Sequence, residues 1–166
     1  KLYPTTRSLQ ANETAVGILL TTSNAKLGPE SIAIGLDYGL YKIAHKNHPS
    51  TIWARSGGLN YLWLYDHMRG LMQEYTYRYG KIHATERLNM GLSSRPQNMD
   101  DGAPFTDPPQ CMPDYCKGED TVLAYQNYYI LEKSGFAKWT KRETPVFFVE
   151  KYDATRELLG LHGSTA

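Results

Sequence analysis

Between the Gly57-Gly58 pair and Gly80 the chain reads LNYLWLYDHMRGLMQEYTYRYG, an apolar stripe at helical spacing with no proline to interrupt it. Tyr61, Leu64, Tyr65, Met68, Leu71, Met72, Tyr75 and Tyr79 recur at steps of three and four and fall on one face of a helix. A second face carries Asn60, Trp63, His67, Glu74, Arg78 and Lys81. A helix that only fills space would show Lys, Glu and Gln there. A Trp, a His, a Glu and an Arg in one line read instead as the wall of a site. The two glycines break the chain ahead of the stripe and Gly80 is placed to stop it, so the pattern predicts a helix over 59–80.

The chain of 166 residues has the size of one domain with room for a core, and 41% hydrophobic against 21% charged residues makes it globular. The expected architecture is a single, mainly α-helical domain over 1–166. Its 13 tyrosines suit surfaces that contact something, because the ring is apolar and the tip polar. The net charge of +1 hides an uneven distribution. Residues 41–95 hold 8 Lys/Arg against 3 Asp/Glu, residues 96–132 hold 1 against 7, and residues 133–142 hold 4 basic residues and no acidic one. Basic blocks can contact phosphates; equally, the acidic segment can pack beside them.

Cys111 and Cys116 do not define a disulfide framework. Reduced thiols in a cytoplasmic setting are the expectation, with a local bridge as the alternative. No histidine has a standard zinc spacing to them, and no metal or organic cofactor is implied. No apolar run approaches the length of a membrane span, and KLYPTTRSLQ does not have the pattern of a secretory signal.

Residues 8–22 read as a first helix with Leu9, Val16, Leu19 and Leu20 on its buried side, and residues 23–40 read as loop. Pro49 sits where a helix over 50–56 would start. Residues 89–118, rich in Pro, Gly, Asp and Ser, read as a long irregular loop of acidic character, and loops of that length are usually functional or mobile. Asp120 reads as the N-cap of a helix over 121–139. Pro145 marks an end to regular helix, and VFFVEKY reads as a short strand or as an apolar hook.

The exit of that last helix interleaves Tyr125, Tyr128, Tyr129, Phe136 and Trp139 with Lys133, Lys138, Lys141 and Arg142. Rings can stack on unpaired bases while cations hold phosphates; the alternative is that the rings are core and the lysines solvated. His45, Lys46, Asn47 and His48 precede Pro49, which suits phosphate contact or capping of the next helix. Glu74 and Arg78 at i, i+4 read first as an ordinary helix ion pair worth about a few tenths of a kcal/mol, with a catalytic or positioning acid as the alternative. Glu13 stands among apolar neighbours.

HKNHPSTIWAR, NYLWLYDHM, EYTYRYGKIHATER, PPQCMPDYCKG and AYQNYYILEKSGFAKWTKRETPVFF resemble a group of tailed-phage and marine-virus proteins over roughly residues 40–149. That group is in turn distantly similar to phage pyrimidine-dimer DNA glycosylases of the endonuclease V type. The resemblance implies a compact all-α domain that binds duplex DNA and flips a damaged nucleotide. It also implies an amine nucleophile and a helix glutamate, with a Schiff-base intermediate leading to strand cleavage. The glutamate would be Glu13; another register puts Leu20 at that position. Thr6, Arg7 and Leu9 occupy the region where the family carries His and Lys, so residues 1–35 diverge and catalysis could be impaired.

The leading expectation is therefore a DNA-binding protein related to base-excision DNA glycosylase/AP lyases, located in the cytoplasm of an infected cell or in a virion. Its phosphate-contact set would be His45, Lys46, His48, Arg55, Arg78, Lys81, Lys141 and Arg142, with Trp63 and Trp139 stacking on bases. The alternative is a non-enzymatic phage protein, a virion component or host-interaction factor, whose rings line a protein interface.

Overall fold

The computed structural model describes residues 45–96, 99–100 and 102–158. The expected helix over 8–22, the loop over 23–40, Glu13, Leu20 and the chain's last residues lie outside them. The described residues are mainly α-helical, with no strand among them. They fall into two compact units, 45–111 and 112–158.

In the first unit, α1 (Pro49–Ser56) and α2 (Gly58–Tyr79) follow each other with only Gly57 between them. α1 begins with Pro49 at N1, and the His48 Nδ1 accepts from the Ser50 N–H at 3.2 Å. The capping role expected of that histidine is therefore filled. α2 ends at Gly80, whose φ of 65° is the left-handed conformation that glycine adopts without a Cβ penalty. Its N–H donates to the Thr76 carbonyl at 2.8 Å.

The apolar stripe of α2 is the core. Tyr61, Leu64, Tyr65, Met68 and Met72 are buried with Trp53 and Ala54 of α1, and with Leu88, Leu92 and Met99 beyond α2. Tyrosine rather than leucine at two of these places has a reason. The Tyr61 hydroxyl donates to the Leu92 carbonyl at 3.0 Å, and the Tyr65 hydroxyl donates to Asn89 Oδ1 at 2.7 Å. These bonds tie α2 to α3 (Asn89–Ser93) while satisfying the buried phenols. A 3-10 turn over Ala84–Leu88 leads into α3, and the His83 Nδ1 caps it by accepting from the Thr85 N–H. Residues 89–93, expected to be irregular, are helical because Leu92 buries completely against the α2 stripe.

In the second unit, a 3-10 turn over Asp114–Cys116 precedes α4 (Thr121–Lys133). Asp120 caps α4, its carboxylate accepting from the Leu123 N–H at 2.9 Å. The helix stops at Lys133 rather than 139 and tightens to a 3-10 turn over Ser134–Phe136, where Gly135, with the largest backbone entropy to lose, disfavours further α-helix. α5 (Val146–Leu158) replaces the expected strand or hook. Pro145 starts this helix: its carbonyl accepts from Phe148 N and Val149 N. Phe148 and Tyr152, one turn apart, stack at 5.6 Å, a spacing that a strand would not produce. Met112, Cys116 and Ala124 form the buried cluster at the start of α4, with Tyr125 and Tyr128 against it.

No described helix is long and apolar enough to cross a membrane.

Candidate functional site

The second face of α2 divides into three environments. At its start, Asn60 is almost fully buried and acts as a staple. Its Nδ2 donates to the Trp53 carbonyl at 3.2 Å and to Thr106 Oγ1 at 3.1 Å, while its Oδ1 accepts from the Thr106 N–H at 3.0 Å. Trp53 Nε1 donates to the Thr106 carbonyl and hydroxyl, each at 3.0 Å. The Gly58 N–H donates to the Asp100 carbonyl at 3.0 Å. Gly57 permits the same approach: a Cβ there would lie 3.1 Å from the Ala103 Cβ. The acidic loop is thus fastened over the α1–α2 junction by residues 46 positions apart in sequence.

That docking delivers Phe105 to a ring surface. Trp53 meets Trp63 edge-on at 5.7 Å and Phe105 at 6.4 Å; Trp63 lies 6.3 Å from Phe105 and stacks flat on His67 at 5.2 Å. Trp53 is the buried base of the group, whereas Trp63 and Phe105 each remain 41% exposed. His67 keeps much of its surface open, yet desolvation by its neighbours holds its pKa below the usual 6.5. The imidazole is therefore neutral near pH 7 and offers an uncharged π-face. Neither Phe105 nor Trp53 stands out in the sequence. Phe105 sits in a non-periodic loop, and only the Asn60–Thr106 bonds reveal where that loop goes.

Beside α1, the HKNH turn forms a compact basic group. His45 adopts a positive φ of 53°, and the Arg55 Nη1 donates to the Lys46 carbonyl at 2.7 Å. His45, Lys46, His48 and Arg55 are thereby gathered at the N-terminal end of α1, with His45 and Lys46 exposed and His48 and Arg55 half-buried. Lys81 is exposed just past the C-terminal stop of α2.

Toward the end of α2 the environment inverts. Arg78 Nε donates to Glu74 Oε1 at 2.7 Å, and the side chains are 0% and 8% exposed. The expected helix ion pair is present and is buried, because this part of the second face is covered rather than solvated. Arg78 does not lie on the surface with the other expected phosphate contacts. Its Nη1 and Nη2 are buried with no acceptor among the described residues, and the Tyr79 hydroxyl is buried with no partner among them. An unmet donor on a buried charged group costs about 1–3 kcal/mol or more.

In the second unit, Trp139 is half-buried and packs edge-on against Phe148 at 4.7 Å. Lys141 is exposed with a positive φ of 58°, and Arg142 is half-buried, its N–H donating to the Trp139 carbonyl at 3.2 Å. Lys133 lies over the Tyr128 ring at 4.9 Å and the Phe136 ring at 5.6 Å. The Tyr115 hydroxyl donates to Glu132, and that carboxylate pushes the phenol pKa up to about 12. Both cysteines are free thiols, Cys111 exposed with its Sγ 3.5 Å from Ser50 Oγ, and Cys116 buried with its pKa raised by desolvation. Among the described residues no three His, Cys, Asp or Glu side chains gather as a metal site.

Comparison with known protein families, characterised proteins and solved structures finds no match for this chain.

Proposed function

We propose that this chain is a DNA-binding protein related to base-excision DNA glycosylase/AP lyases, and that the 45–111 unit carries a principal contact surface. The observation that carries the reading is the pairing, within one unit, of the basic group at the head of α1 with the half-exposed ring surface of Trp63, His67 and Phe105. Cations placed by backbone bonds hold phosphates, and rings whose faces are partly open stack on unpaired bases. Trp53 joins the two, since it lies on α1 and supports Trp63 and Phe105 from below. Lys81 extends the contact set of this unit, and Lys141, Arg142 and Trp139 form a separate candidate set in the 112–158 unit.

The resemblance to phage pyrimidine-dimer glycosylases carries the chemistry of this proposal. An amine attacks the sugar C1′ of the flipped nucleotide, the base leaves, and Glu13 acts as general acid/base as the resulting imine opens the way to strand cleavage. Borohydride reduction on abasic-site DNA traps that imine as a stable protein–DNA adduct. Binding without an adduct would mark a non-catalytic relative.

A second reading is favoured by one observation: Ile52, Leu59, Trp63 and Phe105 all leave large apolar surface exposed on the same unit. A protein partner in a virion or host complex would cover such a surface. Affinity for DNA that falls steeply with salt supports the first reading; a flat salt response supports the second.

A further inference from the structure

Gly70 stands inside α2 on its exposed side, where glycine weakens a helix relative to Ala. Packing gives no reason for it. An added Cβ would meet no described atom within 4 Å beyond its chain neighbours and the helix's own backbone. Gly70 follows Trp63 and His67 at steps of four and three, so all three lie on one side of the helix. The Trp63 and His67 rings are parallel to within 5°, with centroids 5.2 Å apart. That separation is close to the pitch of an α-helix, about 5.4 Å, so the stack runs along α2. A third ring, added to the His67 face turned away from Trp63, falls about one turn further on, at the level of Gly70. Any longer side chain at that position would occupy the place.

Charge decides how a nucleic acid meets this face. Asp66 is exposed one residue before His67 and one turn before Gly70, and its carboxylate opposes a phosphate there. A strand bound here therefore turns its bases to α2 and its phosphates outward. A closed duplex would bring its phosphates toward Asp66 and present no ring face. We propose that the α2 face from Trp63 through His67 to Gly70 is a stacking shelf for an unpaired nucleobase, and that the chain binds single-stranded DNA in preference to duplex. This preference rests on the DNA binding proposed above and is separable from it. A duplex engages the shelf only where a base has left the stack. Every base has a π-face, so the selection is for strandedness and not for sequence.

The test uses the full chain and the fluorescence anisotropy of one labelled oligonucleotide without self-complementarity, alone and annealed to its complement, at the same salt concentration. The single strand should bind roughly tenfold tighter. Gly70→Gln supplies a good helix former whose side chain lies over the shelf. Its thermal midpoint should be no lower than that of wild type. The single strand should nevertheless bind it roughly fivefold more weakly, so that its advantage over the duplex shrinks. Gly70→Ala adds only a methyl group and should raise the midpoint with less effect on affinity. A duplex bound as tightly as the single strand, or a single-strand affinity unchanged in Gly70→Gln, would overturn the preference and leave DNA binding standing. Binding of neither form would overturn both and leave the rings to a protein partner.

Discussion

Replacing Glu74 by Gln keeps the shape of the side chain and leaves an oxygen to accept from Arg78 Nε, while removing the charge. The cost depends on where the pair sits. An exposed i, i+4 helix pair contributes about 0.3–0.5 kcal/mol. Breaking a buried pair by removing one partner costs about 3–5 kcal/mol, because the remaining charge has no compensation. Here the Arg78 side chain is 0% exposed and that of Glu74 8%, so the second scale applies. With a urea slope of about 1–3 kcal/mol/M, the unfolding midpoint should fall by roughly 1–5 M. Tryptophan fluorescence in a Trp139→Phe background reports on the 45–111 unit alone, through Trp53 and Trp63. The double variant Glu74→Leu/Arg78→Met should lie closer to wild type than Glu74→Gln does, since it leaves no buried charge. A loss below about 0.5 kcal/mol in Glu74→Gln at unchanged slope would refute the argument, because the pair would then be screened like a surface one.

Other outcomes follow from the same structure. His67 has a lowered pKa in the folded state, so the unfolded chain binds more protons as pH falls below 6.5, and stability drops from that pH downward until the folded value is reached. His67→Gln should flatten this part of a urea-midpoint profile between about pH 7.5 and 5, a window set by the ordinary histidine pKa. Asn60→Ala removes the buried amide that fastens Thr106 and should cost about 2–4 kcal/mol, at about 1 kcal/mol for each hydrogen bond removed. Amide exchange at Thr106 should rise with it, and protection unchanged there would show that Trp53 alone holds the loop. Iodoacetamide should label the exposed Cys111 in the native protein and leave Cys116 untouched, as mass spectrometry of tryptic peptides would show. Equal labelling of both would contradict the burial of Cys116.

What is legible in the sequence is local. The α2 stripe, its glycine stop, the start of α1 at Pro49 and the Asp120 cap each rest on residues within a turn or two of one another. α5 reads wrongly as strand or hook for a related reason. VFFV carries β-branched and aromatic residues, but the helical register appears only when Phe148 is paired with Tyr152 and the charged residues beyond Val149 are included. The ring surface is half legible. Trp63 and His67 share a helix face, but Phe105 reaches them through bonds between Asn60 and Thr106, and no periodicity connects those positions. The spacing of Glu74 and Arg78 pairs them correctly. Their burial is not legible, because what covers a helix face is a tertiary fact that spacing along the helix does not contain.

The proposal stands or falls on DNA binding by the basic group at the head of α1 and by the ring surface of the same unit. Fluorescence anisotropy of a labelled duplex, titrated with the full chain at several salt concentrations, tests it most directly. Affinity should fall steeply with salt, and Lys46→Ala/Arg55→Ala should make the log–log slope shallower by about 2, close to one for each phosphate no longer neutralised. Trp63→Ala should weaken binding by about 1–3 kcal/mol without changing that slope. Binding that ignores salt, or that persists undiminished in both variants, would contradict the account.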